Sequence, residues 1–141
     1  MIDDYARFVD TTTSAESKCT STLTKRLEKL TGTTWHKGDE VGEELQVARL
    51  LTAVIGMMAE SGEFAEIVKK KVFQADTKFS DSEIFHMKRE LGDVLWYWAQ
   101  GCLSLGFTPS EVIKENINKL EKRYPDGFEV ARSEHREQGD I

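Results

Sequence analysis

The sequence predicts an all-α domain, a bundle of about four helices. Apolar residues recur with a period near 3.6 over long stretches, while alternating strand patterns are nearly absent. Ser80 and Glu83 stand in capping-box spacing, and Thr108 precedes Pro109, so two helix starts are marked directly. The chain holds only 2 Pro and 10 Gly in 141 residues, which leaves long segments free of breakers.

The first helical segment runs from about Asp3 to Leu30. It is weakened by the polar stretch from Thr11 to Thr22 and regains an apolar stripe at Leu23, Leu27 and Leu30. Residues 31–39, rich in Gly and Thr, read as a loop. A long helix from about Gly42 to Gln74 follows, with Leu50, Leu51, Val54, Ile55, Met58, Ile67 and Val68 in helical register. The third helix runs from about Asp81 to Leu105 and stops at Gly106. The fourth starts at Pro109 and ends at Tyr124-Pro125-Asp126-Gly127, and a charged tail from Glu129 is expected to be loose.

Composition narrows the function. One domain spanning 1–141 fits the length. No apolar run is long enough to span a membrane, and Met1-Ile2-Asp3-Asp4 does not read as a signal peptide. With 25 acids against 19 bases the net charge is −6, which argues against binding duplex phosphates. The run Lys69-Lys70-Lys71 reads as a solvated helix face. Cys19 and Cys102 form no metal spacing or disulfide framework, so a reducing, cytoplasmic setting is expected.

The two central helices carry a local echo. Met57-Met58-Ala59-Glu60-Ser61-Gly62-Glu63 and Met87-Lys88-Arg89-Glu90-Leu91-Gly92-Asp93 share M-x-x-E-x-G-[E/D], thirty residues apart. On the second helix Glu60 and Glu63 fall on a stripe with Ala53, Gly56, Met57, Phe64 and Ile67. On the third, Glu90 and Asp93 share one with Met87, Val94 and Tyr97. Carboxylates on core-facing seams need a partner or a metal. Two ionised carboxylates about 5 Å apart repel by roughly 3 kcal/mol at an effective dielectric near 20, so a cation is expected among the four. Oxygen-only ligands suit Mg²⁺ or Mn²⁺, and such a site serves to hold a polyphosphate and activate water. Gly62 and Gly92 cost helix stability and point to close helix packing. Glu66 lies off the stripe, either behind the four acids or on the surface. A ferritin-like di-iron site would need two Glu-x-x-His motifs, and the chain offers one, Glu83 to His86; His135 has Arg132 three residues before it and His36 is in the loop.

These motifs resemble the all-α nucleoside triphosphate pyrophosphohydrolases, the MazG-like superfamily that includes dimeric dUTPases and dCTP pyrophosphatases. Glu60-Ser61-Gly62-Glu63, a 26-residue gap and Glu90-Leu91-Gly92-Asp93 resemble its ExxE and ExxD signature. Residues 119–128, KLEKRYPDGF, are similar to the KLxxRYPxGF segment of its single-domain members. The resemblance covers about Leu50 to Phe128, and the N-terminal fifty residues, less similar, are a candidate seat of substrate choice.

The resemblance implies hydrolysis between the α and β phosphates of a nucleoside triphosphate, giving the monophosphate and pyrophosphate. It implies Mg²⁺, with Mn²⁺ as a substitute, on Glu60, Glu63, Glu90 and Asp93, and phosphate or sugar contacts from Asn116, Lys119, Arg123 and Tyr124. It also implies a homodimer or homotetramer whose site draws on more than one chain. Asn116, Lys119 and Arg123 share one helical face, and their charge suits a triphosphate. Glu63 is the expected general base. Tyr97, one turn past Asp93, is expected to line the pocket, and Trp96 and Trp98 to serve core or subunit interface. Trp35 and His36 could stack on or hydrogen-bond the base, although a loop Trp also serves as a packing plug. A catalytically silent helical adapter on the same scaffold is the competing reading.

Overall fold

The computed structural model describes residues 2–37 and 39–135. Within them the first helical segment is divided into α1 (Ile2–Thr12), α2 (Ala15–Lys18) and α3 (Thr20–Leu30). The polar stretch that weakens it in sequence is where it breaks. The hydroxyls of Thr11 and Thr12 donate to Phe8 O at 2.8 and 2.9 Å, and that of Thr13 to Val9 O at 2.6 Å. Such back-bonding by successive threonines competes with helix propagation. Ser14 then caps α2 by accepting from the Ser17 amide.

Residues expected as a loop and as the start of the long helix instead form a two-stranded antiparallel hairpin, β1 (Thr34–Lys37) and β2 (Glu40–Glu44). Thr34 pairs with Glu44 and His36 with Val41, with an irregularity between Thr34 and His36. The hairpin is tied to the helices at its exit. The Gln46 amide donates to Ser104 O at 2.9 Å, and positive φ at Gly106 turns the chain so that a Cβ there would lie 3.0 Å from Glu43 Cβ. The long helix α4 therefore starts at Val47 rather than Gly42 and runs to Phe73.

α5 (Asp81–Ser104) opens with the expected capping box of Ser80 and Glu83, and α6 (Pro109–Arg123) with one of Thr108 and Glu111, Pro109 leading. A short helix, α7 (Val130–Glu134), follows in the charged tail. The all-α class holds: helices make up almost all the regular structure of the described residues.

α4 and α5 lie antiparallel, and the contact between them is built from small groups. Ala53 is fully buried, a Cβ on Gly101 would sit 3.7 Å from Ala53 Cβ, and Gly56 receives the ring of Tyr97. The close approach is thus at Gly56 and Gly101. Gly62 and Gly92, expected to mark it, have nothing within 4 Å of the position a Cβ would take. Lying further along the pair, they face open space beside the carboxylates.

The far end of the pair is closed by Lys71. Its Nζ lies 2.8 Å from Glu83 Oε1, and it donates to Thr77 Oγ1 and Lys78 O, both at 3.1 Å. Lys71 is therefore not part of a solvated face, its side chain being only 11% exposed. Lys69 and Lys70 do pair with Glu66 on the exposed side. The opposite flank of the pair stays apolar and open, with Ile55 67% and Met58 73% exposed and Leu91, Leu95 and Trp96 more than half so.

Candidate metal centre

The helical register places the four motif acids on the facing sides of α4 and α5. Ala53 and Gly56 are buried and Met57, Glu60, Phe64 and Ile67 half-buried along one stripe of α4. On α5 the matching stripe is Met87, Glu90, Val94 and Tyr97. Each stripe carries one acid in place of an apolar residue at its centre, Glu60 and Glu90 as expected, whereas Glu63 and Asp93, expected on the same core-facing stripes, are exposed at their edges.

Glu60, Glu90 and Asp93 each offer a carboxylate oxygen, and these atoms lie within 4.8 Å of one another. Glu90 is 6% exposed and is the buried charged residue of the described chain. Glu60 is pushed above the ordinary carboxylate range, first by burial, then by its hydrogen bond with Glu90 and by the negative charges of Glu63, Asp93 and Glu90. Two carboxyl groups in hydrogen-bond contact must share either a proton or a cation. The donor set, hard oxygens from two rigid helices around a buried carboxylate, fits a divalent cation such as Mg²⁺ or Mn²⁺.

Glu63 is brought to the same locality but in a different grouping. Its carboxylate lies with a His86 ring nitrogen and a Glu90 oxygen, again within 4.8 Å of one another. His86 Nε2 is 2.8 Å from Glu90 Oε1. Two triads therefore meet at Glu90, one all oxygen and one containing an imidazole. From the sequence, His86 stands out only through its Glu-x-x-His spacing from Glu83. The spacing His-x-x-x-Glu, one helical turn before Glu90, was the available signal for its place here.

The predicted substrate residues are more dispersed. Tyr97 lies one turn from Asp93, with its ring half-buried against Gly56 and Trp96 edge-on to it at 4.8 Å between centroids. Asn116 and Lys119 line a cleft between α5 and α6 with Trp98, Val112, Ile113 and Glu115. Trp98 lies five residues beyond Asp93, about 140° round the helix, so within one chain this cleft opens on a different side from the carboxylates. Arg123 ends α6 with its guanidinium 5.9 Å from the Tyr124 ring, which itself packs on Phe128 at 5.4 Å. His36 is exposed on β1 with Nε2 3.2 Å from Thr34 Oγ1, and the side chain of Trp35 lies outside the described residues.

Comparison with known proteins bears on this arrangement. Residues 49–128 match the family model of the MazG nucleotide pyrophosphohydrolase domain. The chain is similar to the Gene 37 protein of Mycobacterium phage L5, with 34% identity over 82 residues, covering 58% of this chain and 72% of the phage protein. No solved structure matches.

Proposed function

Since the chain belongs to the family of the MazG nucleotide pyrophosphohydrolase domain, we propose that it hydrolyses (d)NTPs between the α and β phosphates, releasing the nucleoside monophosphate and pyrophosphate. The observation that carries this reading is the convergence of Glu60, Glu90 and Asp93 oxygens around a buried Glu90 on two facing helices. The chemistry of this family is metal-dependent, and Mg²⁺, or Mn²⁺ in its place, would supply charge neutralisation on the phosphates and an acidified water.

Each residue then has a distinct task. Glu60, Glu63, Glu90 and Asp93 would hold the cation. Glu63 orients and deprotonates the attacking water, because this exposed carboxylate stands at the rim of the cluster. Asn116, Lys119, Arg123 and Tyr124 bind phosphate and sugar, and the two cations offset charge on the leaving pyrophosphate. Tyr97 sets the pocket wall beside Asp93. His36 and Trp35 are candidates for contact with the base.

Within one chain, Asn116 and Lys119 open away from the carboxylates, and the Ile55, Met58, Leu91, Leu95 and Trp96 flank is uncovered. A homodimer or homotetramer accounts for both: a second copy covers the apolar flank and brings α6 side chains of one protomer toward the acids of another. Among the described residues no helix is long and apolar enough to cross a membrane. The free thiols of Cys19 and Cys102 suit a reducing, cytoplasmic setting.

The deciding experiment measures pyrophosphate and monophosphate release from a panel of NTPs and dNTPs with Mg²⁺. Wild type and a Glu90→Ala/Asp93→Ala double variant are compared. Turnover by wild type alone, with pyrophosphate as product, is expected. Release of single phosphate, or equal rates in both proteins, overturns the reading.

A further inference from the structure

α1 is an amphipathic helix whose apolar side is uncovered in its own chain. Ile2, Tyr5 and Val9 recur at i, i+3 and i+7 with Phe8 beside them, and all four are exposed. At 100° per residue, Asp3 and Asp10 border one edge of this stripe and Asp4 the other, while Arg7 lies behind it. The helix is braced from its polar side. Lys18 Nζ reaches Asp10 Oδ1 at 3.1 Å and Arg26 pairs with Glu16, so the bends between α1, α2 and α3 are tied while the stripe is left open.

α5 carries the counterpart. Ile84, Leu91 and Leu95 lie on the side turned away from Glu90 and Tyr97, all exposed, with Lys88 among them and Phe85, Trp96 and Arg89 bordering them. The acids of α5 beyond its first turn, Glu90 and Asp93, belong to the cluster facing α4, which leaves Lys88 and Arg89 as the charges of this outer side. A lysine inside an apolar stripe is best met by a surface that pairs apolar side chains with carboxylates at their rim, and α1 is such a surface. The lengths agree as well, roughly 15 Å for Ile2–Thr12 and roughly 16 Å for residues 84–95 at 1.5 Å per residue. Three Asp against one Arg make α1 a poor ligand for an anionic lipid surface. Both stripes are uncovered in the same protomer, so the occupant these charges favour is α1 of a second copy.

We propose that α1 of one protomer packs along the Ile84, Leu91 and Leu95 side of α5 in its partner, with its aspartates over Lys88 and Arg89, so that the N-terminal segment is an exchanged arm. The inference rests on the reading that a second copy covers the apolar flank of α4 and α5. It adds which segment of that copy does so on α5, and it gives the uncovered face of α1 a task.

Disulfide trapping on the full chain tests the arm. One sample carries Tyr5→Cys and the other Ile84→Cys, Leu91→Cys or Leu95→Cys, all with Cys19→Ser, so that the remaining native thiol is the buried Cys102. After the samples are mixed, left to exchange subunits and oxidised, a covalent dimer of one chain of each kind is expected from at least one pair, and none with Lys122→Cys on α6. Charge exchange gives a second readout: Lys88→Glu/Arg89→Glu should weaken assembly about tenfold or more, and adding Asp3→Lys/Asp4→Lys to the same chain should restore it to within about threefold. Sedimentation of wild type separates this inference from the reading beneath it. A monomer overturns both. An oligomer that yields no mixed disulfide, that traps Lys122→Cys equally well, that forms the disulfide only within a single chain carrying both cysteines, or that is not restored by the charge exchange overturns the arm alone.

Discussion

The ring of Tyr97 on α5 fills the space that a side chain on Gly56 of α4 would occupy. One turn beyond Gly56 stands Glu60, and one turn before Tyr97 stands Asp93, so this contact fixes the distance between the two helices at the level of the carboxylates. A ring laid directly on backbone lets the helices approach closely, and the acids they carry are held against one another as a result.

A Gly56→Ala change should therefore act on the site as well as on the fold. The methyl group would overlap the Tyr97 ring, and separation of the helices or displacement of the ring should cost about 1–3 kcal/mol. Gly62→Ala, in open space, should instead gain up to about 1 kcal/mol from helix propensity. Denaturant midpoints of the two variants check this, and Gly56→Ala should also weaken Mg²⁺ binding. Equal stability of the two variants would contradict the contact described.

Charge repulsion in the cluster gives a sharper prediction. Without divalent cation, Glu60, Glu90 and Asp93 destabilise the fold, so Glu90→Gln should melt higher than wild type in EDTA. With Mg²⁺ at about 100 times its dissociation constant, wild type should gain about 2.7 kcal/mol and the variant much less. Thermal shifts with and without metal measure both quantities, and a crossing of the two orders is the expected result.

Glu63→Gln keeps the size and hydrogen-bonding reach of the side chain but removes its basicity. As the base in water attack, Glu63 should contribute about 10²–10⁴ in kcat, so turnover of the variant should be almost lost. Mg²⁺ affinity should move far less than in Glu90→Gln, because the oxygen triad is intact. Near-normal turnover in Glu63→Gln would reject the role.

How much of this was legible beforehand follows from which signals are local. The stripes through Glu60 and Glu90 could be read because helical period and residue type are enough to put acids on a core-facing seam. The Ser80 and Thr108 caps were equally local. The hairpin is hard to read from sequence because Thr34 to Glu44 alternates for only a few residues per strand, although Gly38-Asp39 is a two-residue turn signal. Lys71 looked like one of three solvated lysines, since nothing in its neighbours shows that the chain returns at Glu83. The glycines show the same limit: the sequence reveals that Gly62 and Gly92 weaken a helix, but only the pairing of α4 with α5 reveals that Gly56 is the one in contact.

The exposed flank of α4 and α5 makes the assembly testable without reference to catalysis. The buried residues of the described chain are small or polar, Ala53, Gly56, Cys102, Ser104 and Glu90, so a single protomer has little apolar burial to set against its chain entropy. Covering Ile55, Met58 and Leu95 in a partner should add about 1.5–3 kcal/mol for each side chain taken fully out of water. Ile55→Glu/Leu95→Glu is expected to shift the protein to monomer in analytical ultracentrifugation and to lower its melting temperature. Wild type should melt higher as concentration rises. A monomeric wild type with a concentration-independent melting temperature would exclude assembly through this flank.

The closure of the helix pair at Lys71 and Glu83 predicts an acid limb to stability. Lys71 first, and then the Ser80 amide and hydroxyl, hold the Glu83 carboxyl down at about 2 against an ordinary 4.5. For a carboxylate whose folded value is depressed, the stabilisation is complete above the unfolded value and is lost as pH falls through the folded one. Glu83 should thus contribute fully above about pH 4.5 and progressively less toward about pH 2. Glu83→Gln is the informative comparison, because glutamine preserves the capping box and removes only the charge facing Lys71. Urea midpoints of the two proteins should differ most above pH 5 and converge as the pH is lowered. A difference that stays constant across that range would mean that the ion pair does not close the α4–α5 turn in solution.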